Sequence, residues 1–309
     1  MATLTNLASG EEHPLTARFL VGRNPTCSMP LIDRRVSIEH ASFHWRGEGW
    51  ELRDLCSRNG TFVNQRRLEP GEAVWVFQGS QIAFGTMELL FSLAADTPPR
   101  ALAYGEDGTV VRANDEGLLA LPSAEQPEVW VSEEAGRWFI ESDDGPHRTV
   151  QDGALLHAGA RAWRLELPVV LEKTLKPEEA RSQHMNEMGL RFTVALNQDF
   201  VGVDVLYGRH VIRLRQRAHH HLLLALARKR QADQMMAATT GMPASEHGWM
   251  DVRELRAILE ATQNNLALDI FRARRQLAEE AGILDARLLI ERRRGAQIRL
   301  NVARIEVLP

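Results

Sequence analysis

Apolar and polar residues alternate in short runs over the first 93 positions of the chain. The runs are ARFLVGR, HASFHW, GWELRDL, TFVN, EAVWVF and ELLFSL, and they are separated by Gly, Asn, Pro or charged residues. Period-two alternation in closely spaced short segments predicts an all-β sandwich. Pro98 and Pro99 end the pattern, because consecutive prolines stop both a helix and a strand ladder. We therefore predict a first β domain over residues 1–96.

The pattern over residues 100–168 again predicts strands, at EVWVS, GRWFIES, HRTV and ARAWRLELP. This segment loosely repeats the first, since GRWFIESDDG parallels GWELRDLCSRNG, but nothing in it corresponds to Asn59-Gly60-Thr61. Trp130, Trp138 and Trp163 occupy strand positions, and we expect them in the core. We predict a small β module here, followed by a charged linker over residues 169–187.

Residues 188–309 change from strand to helix patterning. LRFTVAL, DFVGVDV and HVIRLR alternate as strands, whereas HHHLLLALARKRQADQM has its leucines on one side of a helix. Asp251 is the expected N-cap of a second helix, MDVRELRAILEA. A third, NNLALDIFRARRQLAEEAG, ends at Gly282 and buries a stripe formed by Leu266, Ile270, Ala273 and Leu277. Gly295 then separates two alternating strands in a predicted hairpin.

Three helices followed by a basic hairpin predict a winged helix. The expected fold class is therefore multidomain α+β, with an N-terminal β-sandwich, a small middle β module and a C-terminal winged helix.

Composition excludes several classes of protein. The 309 residues are 44% hydrophobic and 25% charged, which is typical of a globular protein, and their number suits about two domains. We find neither a signal peptide nor a run of about 18 apolar residues, so we expect a cytoplasmic protein with no membrane partner. Cys27 and Cys56 lack zinc-site spacing. His219, His220 and His221 are expected at a solvated helix start, so no metal site is predicted.

Charge is unevenly distributed along the chain. From Leu190 onward, 19 Lys and Arg face 13 Asp and Glu, whereas the preceding residues carry 18 against 28. A basic segment joined to an acidic one is typical of proteins that bind nucleic acid or another polyanion.

One set of motifs in the first domain points to a family. Gly22-Arg23, VSIEH at 36–40, DLCSRNGTFVN at 54–64 and GSQIAFG at 79–85 recur in the order and at about the intervals of the forkhead-associated (FHA) domain. The first 93 residues thus resemble an FHA domain, a β-sandwich that binds phosphothreonine peptides through loops at one end. A phosphothreonine carries about −1.5 to −2 charges, so its receptor needs fixed donors and a cation.

The resemblance assigns roles to particular residues. Arg23 is expected at the phosphate or the adjoining peptide backbone, and Ser37 is expected to donate its hydroxyl and amide to the phosphate. Asn59 is expected to hold the peptide main chain, with Arg58 beside it. The expected loop scaffold consists of Gly22, His40, Gly60 and Thr61, with Gly60 in a conformation that few other residues adopt.

Ile38 departs from the family, which commonly has Arg or Asn directly after the serine. Losing a hydrogen bond to a charged group weakens binding by about ten- to a hundredfold. Arg34, Arg35 or Arg58 are candidates to compensate for it. The alternative is an FHA fold that has lost its ligand and serves only for docking.

The third helix suggests a second site. DIFRARRQLAEEAG resembles the recognition helix of OmpR-type winged helices. Asn265, Leu268, Arg272, Arg275 and Glu279 lie opposite its predicted buried stripe, with Arg274 at the border. Arg272 and Arg275 are therefore expected in a major groove. The hairpin arginines are expected at DNA phosphates; they are Arg292, Arg293, Arg294 and Arg299.

These patterns support a regulator rather than an enzyme. The chain has no phosphate-binding glycine loop, dinucleotide fingerprint, HExxH or nucleophile elbow, so we expect neither catalysis nor a cofactor. The leading hypothesis is a bacterial transcription regulator that reads a phosphothreonine made by a Ser/Thr kinase and binds double-stranded DNA. The alternative is an adaptor whose winged helix contacts proteins, because Asp269, Glu279 and Glu280 repel DNA locally. An enzyme-regulatory subunit is a third possibility.

Overall fold

The computed structural model describes residues 1–134, 136–143, 145–169, 185–195, 200–261, 263–283 and 285–308. Most of the predicted linker, residues 170–184, lies outside the described residues. Residue contacts divide the chain into two compact units. The first contains Met1–Asn114, Gln151–Leu156 and the described residues of Trp163–Glu172. The second contains Asp115–Val150, His157–Ala162 and the described residues of Lys173–Pro309.

The N-terminal part of the first unit consists of eleven strands in two sheets. They are β1 (Thr3–Asn6), β2 (Glu12–Pro14), β3 (Arg18–Gly22), β4 (Met29–Pro30), β5 (Ala41–Trp45), β6 (Trp50–Asp54), β7 (Thr61–Val63), β8 (Arg66–Arg67), β9 (Ala73–Val76), β10 (Gln81–Phe84) and β11 (Leu90–Ala95). One sheet has the order β2-β1-β11-β10-β7-β8, and the other has β4-β3-β5-β6-β9.

The two sheets share one apolar core, which confirms the predicted β-sandwich. Alternate residues of the strands point inward, as Trp50 and Leu52 of β6 show by being fully buried. Phe84 packs against Phe43 and Phe91 at ring distances of 6.5 and 5.6 Å. Burying large aromatic side chains dominates the stability of such a core. The sandwich therefore provides a rigid support for the loops at its ends.

Residues 100–168 form eight strands in two four-stranded sheets. The strands are β12 (Leu102–Gly105), β13 (Val110–Arg112), β14 (Leu119–Leu121), β15 (Val129–Glu134), β16 (Arg137–Ser142), β17 (Gly145–Val150), β18 (Leu155–Ala158) and β19 (Arg161–Glu166). The first sheet has the order β13-β12-β19-β18, and the second has β14-β15-β16-β17. The whole second sheet belongs to the second unit. Residues 100–168, which the sequence pattern predicts as one module, are thus divided between the two units.

The C-terminal part contains seven strands and three α-helices among its described residues. They are β20 (Met188–Val194), β21 (Val201–Tyr207), β22 (His210–Arg213), α1 (His220–Thr240), β23 (Met250–Asp251), α2 (Val252–Leu259), α3 (Gln263–Ala281), β24 (Ile290–Arg293), β25 (Gln297–Leu300) and β26 (Arg304–Leu308). The sheets have the orders β22-β21-β20-β26 and β23-β25-β24. β26 pairs parallel with β20, a return of the chain that the sequence pattern does not predict.

Local sequence signals explain the helix boundaries. The Asp251 carboxylate accepts a hydrogen bond from the Arg253 amide at 2.7 Å, which confirms Asp251 as the N-cap of α2. Gly282 follows α3 with a φ of 66°, in the left-handed region where glycine has no steric penalty. The predicted stripe of α3 is buried in the core of this part of the chain.

The prediction of a solvated histidine triplet is wrong for two of its three members. His219 and His220 are buried, and their Nε2 atoms lie 2.7 and 3.0 Å from the side-chain oxygen of Gln276 on α3. Burial lowers the pKa of His219 to about 4. These rings therefore join α1 to α3 and do not form a solvated helix start.

Candidate functional site

Two loops meet beside the end of β3, at one end of the sandwich. The Arg23 amide donates to the Ser37 carbonyl at 2.8 Å, and the Arg58 amide donates to Ser37 Oγ at 3.0 Å. The Asn59 side-chain amide donates to the Arg35 carbonyl at 2.7 Å. The structure therefore brings together Arg23, Ser37, Arg58 and Asn59, which the sequence predicts as one site.

Ser37 offers fewer donors than its predicted role requires. Its amide already donates to His40 Nδ1 at 3.1 Å, so only the hydroxyl hydrogen is available to a ligand. The expectation that the Ser37 amide also contacts a phosphate is wrong for this conformation. Because Ser37 Oγ accepts from the Arg58 amide, the hydroxyl is held in place while its own hydrogen stays free to donate.

His40 connects the two loops from beneath. It is fully buried; while Nδ1 accepts from Ser37, Nε2 lies 3.2 Å from the Gly60 carbonyl, to which it donates. Burial lowers the pKa of His40, which keeps the ring neutral in the single tautomer that satisfies both bonds. The predicted bracing role of His40 thus has a direct structural basis.

A buried carboxylate organises the second loop. Asp54 Oδ1 accepts from the hydroxyls of Ser57 and Thr61 at 2.6 and 2.7 Å, and Oδ2 accepts from the Ser57 amide at 3.0 Å. Burial alone acts to raise the pKa of Asp54, but these hydrogen bonds bring it below its usual value. Sequence reasoning named Thr61 and missed Asp54 and Ser57.

Two glycines allow the close approach of these loops. A Cβ on Gly22 would lie 2.2 Å from the Ile38 carbonyl oxygen, so any side chain there would displace the loop that carries Ser37. Gly60 has a φ of 89°, and a Cβ there would meet the Arg67 side chain at 2.4 Å. The predicted special conformation of Gly60 is thus observed.

The loops enclose an open pocket of about 300 Å³ whose lining is rich in arginine. It is lined by Arg23, Arg34, Arg35, Val36, Ser37, Ile38, Glu39 and Arg58. Arg35 is neutralised by Asp33 and Glu88, and its guanidinium holds the pKa of Asp33 at about 2. Among the described residues, no carboxylate pairs with Arg23, Arg34 or Arg58, so their charges remain available to an anion. Ile38 occupies the rim with 60% of its surface exposed.

Among the residues that the structure describes, several arginines of the predicted DNA-binding face of the second unit are paired with carboxylates, unlike Arg23, Arg34 and Arg58 of the pocket. Arg272 Nε lies 2.7 Å from a carboxylate oxygen of Glu116, and Arg275 pairs with Glu279 on its own helix. Arg292 is buried beside Glu141 and Asp143, which contradicts its expected position on the surface. The reason is that the β14–β17 sheet covers this side of α3 and β24.

Two of the remaining hairpin arginines lie over one tryptophan. The guanidinium carbons of Arg293 and Arg299 lie 4.4 and 4.6 Å from the centre of the Trp249 ring. The two arginines also pair with Glu246 and Glu291. Of the six arginines predicted to contact DNA, only Arg294 is exposed without a carboxylate partner in the described part of the chain.

Two carboxylates of the β14–β17 sheet, the buried Glu141 and the half-buried Glu134, share the guanidinium of Arg274 on α3. Burial raises the pKa of Glu134 to about 7, whereas the pKa of Glu141, despite its burial, is lowered by Arg274 and Arg292. Glu134 is therefore the carboxylate with too little compensating positive charge.

Replacing Glu134→Gln should stabilise the second unit at high pH. A folded-state pKa above the unfolded one favours folding at low pH, and this contribution is lost as the pH rises through about 7. We expect a gain of roughly 1–3 kcal/mol at pH 8 and little change at pH 5. Thermal unfolding at both pH values measures this gain, with exposed Glu125→Gln as the control. Equal effects of Glu134→Gln at the two pH values would contradict a raised pKa.

The arginine pocket, with a hydroxyl donor on rigid loops of a β-sandwich, defines an anion-binding module. The family model of the FHA domain matches residues 19–85. The chain therefore contains an FHA domain, which confirms the resemblance of its N-terminal motifs.

Curated relatives match the same part of the chain. An oxoglutarate dehydrogenase inhibitor of Corynebacterium jeikeium is 37% identical over 70 residues, 23% of this chain and 46% of the relative. The glycogen accumulation regulator GarA of Mycolicibacterium smegmatis is 34% identical over 70 residues, 23% of this chain and 42% of the relative. The chain thus spans about half the length of these relatives.

Solved structures also align with a part of the chain. Mycobacterium tuberculosis EmbR, in complex with a low-affinity phosphopeptide, is 30% identical and covers 31% of this chain and 25% of its own, with a TM-score of 0.28. The FHA domain of a Chlamydia trachomatis protein is 27% identical over 31% of this chain and 97% of its own, also with a TM-score of 0.28.

None of the helices in the described residues is both long enough and apolar enough to span a membrane.

Proposed function

We propose that the N-terminal pocket binds a phosphothreonine in a partner protein, such as a Ser/Thr kinase or one of its substrates. The observation that carries the proposal is the available hydroxyl hydrogen of Ser37 in a pocket with three arginines, Arg23, Arg34 and Arg58, that no described carboxylate neutralises. A phosphate dianion needs such charged donors, and hydrogen bonds to charged groups are the strong ones. The FHA domain match supports this ligand over other anions.

Asn59 has a supporting role in this proposal. One of its amide hydrogens is used in holding the Arg35 carbonyl, which leaves the side-chain oxygen to accept from a peptide amide. In this proposal the same side chain both braces the loop that carries Arg35 and accepts from the peptide main chain. Replacing Asn59 should weaken both functions together.

The test is a titration of the full chain with a phosphothreonine peptide library and its unphosphorylated counterpart. We expect Arg23→Ala and Ser37→Ala each to weaken phosphopeptide binding by about ten- to a hundredfold. Arg46→Ala is the matched control, because Arg46 lies in the turn between β5 and β6, at the opposite end of these strands. The proposal fails if all three variants bind as the parent chain does.

Ile38→Arg should strengthen phosphopeptide binding. Ile38 is exposed at the rim of the pocket, so an arginine there places a new charged donor beside the ligand without disturbing the core. We expect a gain of about tenfold, which fluorescence anisotropy measures directly. Ile32→Arg, at a fully exposed position, controls for added charge alone. Equal gains from both substitutions would contradict a specific contact at position 38.

We further propose that the C-terminal residues form a winged-helix domain that binds double-stranded DNA, which makes the chain a phosphothreonine-responsive transcription regulator. Three observations support this function: the three helices, the hairpin that carries Arg293, Arg294 and Arg299, and the net positive charge from Leu190 onward. Binding to genomic fragments across a range of salt concentrations tests it. We expect affinity to fall linearly with salt on logarithmic axes, and a flat dependence would exclude phosphate contacts.

A specific observation favours the adaptor as a second candidate function. The outward arginines of α3 are already paired with carboxylates in this conformation, Arg272 with Glu116 and Arg275 with Glu279. An adaptor needs no rearrangement of this region. Arg272→Glu combined with Arg275→Glu separates the candidates, because it should abolish DNA retention by a regulator and leave partner binding by an adaptor intact.

A further inference from the structure

A second side of α3, next to its core stripe, is covered by the β14–β17 sheet. Phe271 and Ala267 of α3 form a buried apolar cluster with Leu118, Ala120 and Trp130, and Leu268 packs against it. Phe271 and Trp130 are 7% and 3% exposed, so water is excluded from this contact. The helix is therefore buried on two sides, and the second borders the side predicted to enter a DNA groove, where Arg272 and Arg275 remain partly exposed.

Carboxylates from the same sheet and from the loop before it occupy the arginines around this cluster. Glu116 binds Arg272 through both oxygens, and Glu141 binds Arg274. Asp143 contacts Arg256 of α2 at 2.7 Å and Arg292 of β24 at 3.3 Å. Four arginines of α2, α3 and β24 thus face carboxylates. In a complex with DNA, phosphates would neutralise these arginines instead.

The buried polar groups between α3 and the β14–β17 sheet are less completely hydrogen-bonded than those of a permanent core. The Nε atoms of Arg256 and Arg274 and the indole nitrogen of Trp130 are buried without a hydrogen-bond partner in the described part of the chain. Glu134 and Glu141 share the guanidinium of Arg274, and among the described residues Arg292 contacts Glu141 but not Glu134. Buried ion pairs also pay a large desolvation cost. A polyanion that competes for these arginines can therefore displace the sheet, because the carboxylates and the unpaired polar atoms then regain contact with water.

We propose that the β14–β17 sheet, with Glu116, is an autoinhibitory element that occupies the arginine face of α3 in place of DNA. The proposal rests on the proposed DNA-binding function of the C-terminal domain. The chemistry of the occupant supports it, since carboxylates imitate phosphate charge and the apolar cluster around Phe271 holds them against the helix. Opening this contact would release Arg272, Arg274 and Arg292 from their carboxylates.

The experiment opens the contact without altering α3. Glu116→Arg places like charge opposite Arg272 at a partly exposed site, with the two side chains 35% and 40% exposed. Leu118→Asp, as a second variant, introduces a charge into the apolar cluster. Glu125→Arg is the matched control, because Glu125 is an exposed residue of the turn between β14 and β15 and its side chain is hydrogen-bonded to Ser123. Each full-length variant is titrated with a random-sequence 24-base-pair DNA, and hydrogen exchange of residues 263–281 reports opening.

We expect both opening variants to accelerate exchange in α3 and to bind the DNA about tenfold more tightly than the parent and Glu125→Arg do. If the opening variants exchange faster but bind DNA with the parent's measurable affinity, the sheet does not inhibit and the proposal is overturned, while DNA binding stands. If α3 opens and no variant binds DNA even at low salt, the DNA-binding function itself is wrong and the inference falls with it.

Discussion

Replacing Asp54→Ala should cost the first unit about 3–5 kcal/mol of stability and remove phosphopeptide binding. The substitution leaves two hydroxyls and one amide buried without their acceptor, since Asp54 holds Ser57 twice and Thr61 once. Ser57 Oγ in turn accepts from the Gly60 amide, so the loop that carries Arg58 and Asn59 would lose its internal support. Chemical denaturation gives the stability, and peptide titration gives the binding.

Glu51→Gln is the matched control for Asp54→Ala. Glu51 lies on the same strand, β6, but pairs with Arg46 and Arg53 near the surface, where ion pairs contribute little. We expect it to cost under about 1 kcal/mol and to leave binding intact. A loss of stability as small for Asp54→Ala as for Glu51→Gln would show that the buried carboxylate does not support the loop.

Replacing Arg274→Ala should destabilise the second unit by about 3–5 kcal/mol. Arg274 is 2% exposed and faces Glu141 and Glu134, so its removal leaves a buried and a half-buried carboxylate with one fewer positive charge between them. The guanidinium also donates to the Ile290 carbonyl at 3.3 Å, which ties α3 to β24. Thermal unfolding of the full chain measures the loss in the transition of this unit.

The next residue on the helix controls for the loss of an arginine from α3. Arg275 is half exposed and pairs with Glu279 one turn away, a contact of roughly 0.3–0.5 kcal/mol. Arg275→Ala should therefore change the unfolding temperature only slightly. If the two substitutions had equal effects, Arg274 would not be the centre of a buried charge network.

Much of the fold was predictable from the sequence because it follows from local patterning. Period-two runs mark the strands of the sandwich, and the Asp251 cap and Gly282 mark helix ends through short-range chemistry. The N-terminal strand β1 and the final strand β26 were missed. Their pairing with β11 and β20 joins segments far apart in sequence, and no local signal specifies such a pairing.

The proposed phosphopeptide pocket was predictable in the motif residues that meet there, but not in the buried groups that support its loops. Arg23, Ser37 and Asn59 stand in recognisable motifs, whereas the burial of Asp54 depends on tertiary packing, and Asp is rarely buried without partners. A signal did exist, because Ser57 and Thr61 follow Asp54 at short spacing and can both donate to it. The polar residues next to the motif therefore indicated how the loop is supported, which the motif alone did not.

The two-sided burial of α3 also had a sequence signal. Its core stripe accounts for Leu266 and Ile270, but Ala267, Leu268 and Phe271 lie outside the stripe and are also apolar. A helix with apolar residues on two faces indicates two packing partners. The expectation of an open arginine face followed from the first stripe alone, and the acidic residues that cover it are more than a hundred positions earlier in the chain.

The most direct test of phosphothreonine recognition is isothermal titration calorimetry of the full chain with the best phosphothreonine peptide and its unphosphorylated form. Since Arg23, Arg34, Arg58 and the Ser37 hydroxyl line the pocket, we expect the phosphorylated form to bind at least about a hundredfold more tightly, with the difference largely lost in Ser37→Ala. Equal affinity for the two peptides would contradict a phosphate-binding role for Arg23, Ser37 and Arg58.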